Sequence, residues 1–116
     1  MKKVIIAGSR DFNNFSKLKS VCDFLLKDFK KVVIISGGAK GADQLGERYA
    51  ELRGFKVKLY KADWKKYGKS AGIKRNAEMA EYADMLIAFW DGKSKGTANM
   101  ISLAKKANIQ VNIISI

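Results

Sequence analysis

The chain has 116 residues, 47% hydrophobic and 29% charged, a balance that fits one folded domain around a single core and excludes a disordered polymer. Histidine is absent, which removes Ser–His and Cys–His triads, the common zinc sets and imidazole acid–base chemistry; the single Cys22 excludes an internal disulfide. The formal net charge of +12 asks for a partner of opposite sign, for which nucleic acid, a nucleotide or plain solubility would each serve.

Met1–Gly8 is basic and then apolar, like the start of a signal peptide, but its apolar core is too short and Ser9-Arg10-Asp11 follows where a cleavage region would be. It reads as a first strand, Lys3–Gly8, apolar on both faces as a central parallel strand should be. No apolar run approaches membrane-spanning length, so a cytoplasmic protein without a membrane partner is expected. After the polar turn Gly8–Phe12, a helix is predicted from about Ser16 to Asp28, with Leu18, Val21, Cys22, Leu25 and Phe29 on one stripe. Cys22 on that stripe is a small core residue rather than a reactive thiol.

The segment Val32–Asp43, VVIISGGAKGAD, organises the rest. An apolar strand runs into Ser36, Gly37 and Gly38, and Gly41 opens a helix marked by Ala42, Leu45, Tyr49 and Leu52 and stopped at Gly54. Glycines let a backbone come close, and the N–H groups of a first helical turn point at whatever sits there. With Lys40 and Asp43 the turn reads as a phosphate or ribose site, although its spacing matches neither the dinucleotide fingerprint nor a Walker loop.

Lys56–Lys61 alternates, Val57 and Leu59 one way and lysines the other, as a guarded edge strand does. Ala62–Lys74 reads as a long polar and aromatic loop, followed by a short helix Arg75–Ala83. Met85–Trp90 is apolar on both faces and central. Asp91–Thr97 is a second glycine-lysine turn, Thr97–Ala107 a helix burying Met100, Ile101, Leu103, Ala104 and Ala107, and Val111–Ile116 a second edge strand.

Alternating strands and helices predict an α/β fold, a five-stranded parallel sheet with helices on both faces. Central strands one, two and four with edge strands three and five give the order 3-2-1-4-5, with right-handed crossovers. The turns after strands one, two and four then meet at the carboxyl edge, where ligands bind in such sheets. Ser9, Ser36, Thr97, Arg10, Lys40, Lys93 and Lys95 would converge there and suit a phosphate. Trp64 and Trp90 would lie beside it, to stack on a base or, for Trp90, to pack under a helix. Asp43 serves a catalytic role or only the helix dipole, and Asp91 a catalytic role or only a turn cap.

Five segments in order, GSRDF at Gly8–Phe12, GGAKGAD at Gly37–Asp43, ADWKKYGKSAG at Ala62–Gly72, KRNAEMAEYAD at Lys74–Asp84 and FWDGKSKGT at Phe89–Thr97, resemble the YspA-type branch of the SLOG superfamily. The resemblance runs over nearly the whole chain. It implies a single Rossmann-like three-layer domain over residues 1–116 that binds nucleotides or nucleotide-derived ligands, a fold that includes the LOG phosphoribohydrolases, the DprA proteins and YpsA. The binding set it implies, with the crevice, is Gly8, Ser9, Arg10, Ser36, Gly37, Gly38, Lys40, Gly41, Asp43, Trp64, Arg75, Asn76, Trp90, Asp91, Gly92, Ser94, Gly96 and Thr97.

The LOG enzymes carry an Arg-Lys-x-x-Met helix and a Gly-Gly-x-Gly-Thr turn followed by a catalytic Glu. Arg75-Asn76, Met79 and Gly96-Thr97 match parts of this pattern, but Met100 stands where the Glu belongs. The resemblance therefore implies a kept phosphate half and leaves the hydrolytic half open, with Asp43, Glu78 or Asp91 as replacement carboxylates if cleavage occurs. Three readings follow: a sensor or sequestering module for a nucleotide, an N-glycosidase acting on nucleoside monophosphates, and a DprA-like nucleic-acid binder. The lysines, spread over every segment, support only weak nucleic-acid binding. The expected partners are the nucleotide ligand and further copies of the chain; no cofactor and no metal is assigned.

Overall fold

The computed structural model describes residues 1–116. Its sheet contains β1 (Lys2–Gly8), β2 (Val32–Ser36), β3 (Lys56–Leu59), β4 (Met85–Trp90) and β5 (Gln110–Ser115), all parallel, in the order β3-β2-β1-β4-β5. The two strands that sequence marks as edges are the edges. The reason is visible in burial: β2 is buried at every position and β3 exposed at every position.

Each central strand sends alternate side chains to opposite faces, so each face of the sheet has its own core. Val4, Ile6, Val32, Ile34, Ile87 and Phe89 meet α1 (Phe15–Leu26) and α2 (Ala42–Arg53). Ile5, Ala7, Ile35, Leu86 and Ala88 meet α4 (Ala71–Tyr82) and α5 (Lys95–Lys106) on the other side. Cys22 lies in the first core, where burial, with Asp23 beside it, pushes its thiol up to about 12. A thiol held protonated there is inert. No helix is long and apolar enough to cross a membrane.

Four local expectations need correction. The first helix spans Phe15–Leu26 rather than Ser16–Asp28, with the Asn14 side chain capping it by accepting from the Lys17 N–H. On α2 the buried stripe is Ala42, Gly46, Tyr49 and Ala50, while Leu45 is half-buried and Leu52 exposed. Gly46 sets this rotation, because a Cβ there would lie 2.8 Å from the Ile6 side chain: the helix rests on β1 through its backbone. Ala62–Lys74 is largely helical, with α3 (Trp64–Tyr67), a 3₁₀ turn at Gly68–Ser70 and the start of α4 at Ala71, four residues before the expected Arg75. Asp63 initiates α3 by accepting from the Lys66 N–H at 3.1 Å. On α5, Leu103 is half-buried and Ala107 exposed, since the helix ends at Lys106.

Candidate functional site

The ends of β1, β2 and β4 come together because their registers align at the carboxyl edge, Gly8 opposite Phe89 and Ile5 opposite Ile35. The Ser9 N–H donates to the Phe89 carbonyl at 3.0 Å, and the Asp91 N–H donates to Ser9 Oγ at 3.2 Å, tying the first and fourth strand ends together. Over this junction lies a cleft of about 440 Å³. Gly8, Ser9, Arg10 and Asp11 line it from β1, and Gly37, Ala39 and Asp43 from the β2 turn. Arg75, Asn76 and Met79 enter from α4, and Asp91, Lys93, Ser94, Gly96, Thr97 and Met100 from the β4 turn and α5.

The glycine-rich turn differs from the open cradle that its composition suggests. The Gly38 N–H donates to Ser36 Oγ at 3.1 Å, and the Ala39 N–H to Asp43 Oδ2 at 3.2 Å. The turn is thus closed by its own side chains. Gly41 serves the protein too: a Cβ there would collide with the Ser9 and Arg10 carbonyl oxygens, so Gly41 lets α2 start against the β1 turn. The Ala42 N–H confirms that contact by donating to the Ser9 carbonyl at 3.3 Å. The helix start that opens onto the cleft is that of α5, where Gly96 lies in the lining and Ser94 caps the turn by accepting from the Thr97 N–H. A helix N-terminus offers N–H donors and a positive dipole end to an anion.

Gly37 is the contact point of the two charged groups behind the cleft. A Cβ there would lie 2.6 Å from Arg75 Nη1 and 2.9 Å from Asp43 Oδ2. Arg75 is fixed by donating through Nη1 to the Gly37 carbonyl (2.6 Å) and through Nε to Asn76 Oδ1 (3.0 Å). Asn76, buried, passes the connection on by donating to Asn99 Oδ1 at 2.9 Å, which binds α4 to α5. Burial pushes the Asp43 carboxyl up to about 6, although the Ala39 N–H and the Arg75 guanidinium favour its charged form. Asp91 is the opposite case. It is exposed, and the Ser94 and Lys93 N–H groups, each 2.8 Å from its Oδ1, hold it below the usual carboxylate range.

A second cleft of about 420 Å³ adjoins the first, sharing Arg10, Gly37, Ala39 and Arg75 with it. Gly38 and Trp64 line this one, with Gln44, Glu47, Leu59 and Lys61. Several sequence candidates lie in neither. Ser36 is fully buried and donates to Glu47 Oε2 at 2.7 Å, so it shapes the turn from behind. Lys40, Gly92, Lys95 and Glu78 are exposed outside both linings. Trp90 packs against the second core and donates from Nε1 to the Ser94 carbonyl at 3.1 Å, which is its packing role rather than a stacking one. Sequence reasoning missed Asp11 and Glu47. Glu47 was legible, since it follows Asp43 by one helical turn on the same face of α2; Asp11 carried no signal of its own.

A parallel 3-2-1-4-5 sheet covered on both faces, with its cleft at the carboxyl edge beside the β1–β4 junction, defines a Rossmann-like α/β protein. The chain belongs to the YspA, cpYpsA-related SLOG family, whose sequence model matches residues 2–67. It is 38% identical over 118 aligned residues to the Gene 61 protein of Mycobacterium phage D29, covering 96% of this chain and 94% of that one. Among solved structures it is similar to DNA processing protein A (DprA) from Streptococcus pneumoniae, with a TM-score of 0.75 at 19% identity over 97% of this chain. It spans 49% of that longer chain. It is also similar to the structural-genomics target TM1055, with a TM-score of 0.70 at 23% identity, covering 96% of this chain and 72% of that one. At these identities the two structures establish the fold.

Proposed function

We propose that this protein binds a nucleotide or nucleotide-derived phosphorylated ligand in the cleft over the carboxyl edge and holds it without cleaving it, as a sensor or sequestering module. The observation that carries this reading is the convergence of three strand ends on one cleft that contains Arg10, Arg75, Lys93 and the start of α5. Membership of a SLOG family supports a nucleotide-related role, and Met100, buried in the lining where the resembled enzymes have Glu, supports binding without hydrolysis. A thioether neither donates nor accepts a proton.

One observation favours a glycosidase as the second reading. Of the three candidate carboxylates, Glu78 is exposed outside the cleft and Asp91 is held below the usual carboxylate range, whereas Asp43 is buried in the lining with its carboxyl raised to about 6. A carboxyl poised near neutrality can activate water or stabilise a developing oxocarbenium ion. Incubation with AMP separates the readings. At a hundredfold excess over its dissociation constant, AMP should stabilise the fold by ~2.7 kcal/mol, roughly ten degrees in melting temperature for a chain of this size, and release no free adenine above a protein-free control. Steady adenine release that stops in Asp43→Asn would establish the glycosidase instead. If AMP leaves the melting temperature unchanged and random duplex DNA binds at physiological salt, nucleic-acid binding replaces both.

A further inference from the structure

The two clefts meet at a neck. Arg10, Gly37, Ala39 and Arg75 belong to both linings, so two arginines stand where the compartments join. Arg75 is pinned there through Nη1 and Nε, while its Nη2 forms no hydrogen bond within the chain. Arg10 is exposed and takes part in neither of the two ion pairs of the molecule. One anchored and one unpaired arginine at one junction match a diphosphate better than a single phosphate, because each guanidinium fork can take one phosphoryl group.

The compartments differ in their residues. The inner one has Ser9, Asp91, Ser94 and Thr97 in its wall. The outer one presents Trp64, 58% exposed, and Leu59, 44% exposed. Trp64 stands on the short helix α3 with its indole against α4, where a Cβ on Gly72 would lie 3.6 Å from Cη2. A largely exposed indole in the wall of a cleft offers a stacking surface for a planar ring. Gln44, at the first turn of α2, adds an amide-bearing side chain to the wall of the same compartment. Either cleft alone sits near the lower end of the ~300–1,000 Å³ range of small-molecule sites, and the two joined approach its upper end.

Resting on the nucleotide-binding reading, we infer that the ligand class is two-ended: two nucleosides joined through a diphosphate. The first nucleoside occupies the inner cleft, the diphosphate lies at the Arg10–Arg75 neck, and the second base stacks on Trp64. Nothing in this arrangement needs the dinucleotide fingerprint, because the diphosphate is taken by side chains at the neck rather than by the glycine-rich turn, where Ser36 and Asp43 already engage the Gly38 and Ala39 N–H groups.

Calorimetric titration of the full chain with AMP, ADP, ADP-ribose and diadenosine diphosphate tests this. Diadenosine diphosphate should bind at least about tenfold more tightly than ADP, with ADP-ribose, which lacks the second base, close to ADP. Trp64→Ala, at an exposed position, should remove that advantage, so that the variant binds diadenosine diphosphate no more tightly than ADP. Equal affinity for ADP and diadenosine diphosphate, or an unaltered advantage in Trp64→Ala, overturns the two-ended ligand and leaves the nucleotide-binding reading standing. Binding of none of the four overturns both.

Discussion

Replacing Gly41 by valine should cost about 2–6 kcal/mol of folding stability, a large share of the total for a chain of this size. Two separate penalties add. Gly41 has φ +80° and ψ −126°, a conformation that side chains with a Cβ avoid at a cost of about 1–3 kcal/mol. The Cβ would also meet the Ser9 and Arg10 carbonyl groups, with the Arg10 carbonyl carbon 2.6 Å away, and such overpacking typically costs another ~1–3 kcal/mol. Backbone on both sides leaves nothing flexible to give. The β1 turn and the start of α2 must therefore part, and the cleft they jointly wall opens with them. Gly54→Ala is the control, because Gly54 is also left-handed (φ +72°) with no atom within 4 Å of its missing Cβ. It should lose only about 1 kcal/mol. Urea midpoints of the two variants measure the difference; equal losses would show that the close approach at Gly41 carries no energy.

The second large effect is in pH. The Asp43 carboxyl is raised from 3.8 to about 6, so over this window the folded chain holds a proton that the unfolded chain releases. The stabilisation from that proton is fully present below pH 3.8 and is lost as the pH rises through 6. At 1.36 kcal/mol per unit the loss is at most about 3 kcal/mol. Asp43→Asn has no proton to lose, so the stability of the native protein should fall relative to the variant between about pH 4 and 7 and run parallel to it above. Carboxylates with the opposite shift cancel in this comparison. Asp23, held below its ordinary value by the Arg53 guanidinium, destabilises both proteins equally on acidification. Parallel profiles across the whole range would mean that Asp43 is ionised in the folded state like an exposed carboxylate.

The strand order was legible because burial on one face or two is written into the residue pattern. Val32–Ile35 has no polar alternation, whereas Lys56–Leu59 alternates throughout, and this contrast alone separates centre from edge. Which turns meet at the carboxyl edge follows from that order. The helical content of Ala62–Lys74 was partly legible as well. Asp63 before Trp64-Lys65-Lys66 is a capping signal that two glycines obscured, one of which, Gly72, lies inside α4.

The roles of the glycines were not legible, for a physical reason. A glycine that admits a ligand and one that admits another backbone satisfy the same steric need, and only the tertiary contact with Ser9 and Arg10 assigns Gly41 to the second kind. The closure of the turn by Asp43 depends likewise on where Arg75 arrives from a helix more than thirty residues away. Trp90 illustrates the same limit: a strand-end indole beside a glycine turn can face a ligand or its own chain, and here the Ser94 carbonyl takes its N–H.

The central claim, that a nucleotide sits where the ends of β1, β2 and β4 meet, is tested most directly by a ¹H–¹⁵N correlation titration with AMP followed by ADP. The backbone amides of Gly8–Asp11, Gly37–Ala39 and Asp91–Thr97, three turns far apart in sequence that wall one cleft, should shift together with a single saturation curve. Shifts confined to other segments, or none in these three turns at millimolar nucleotide, would contradict it.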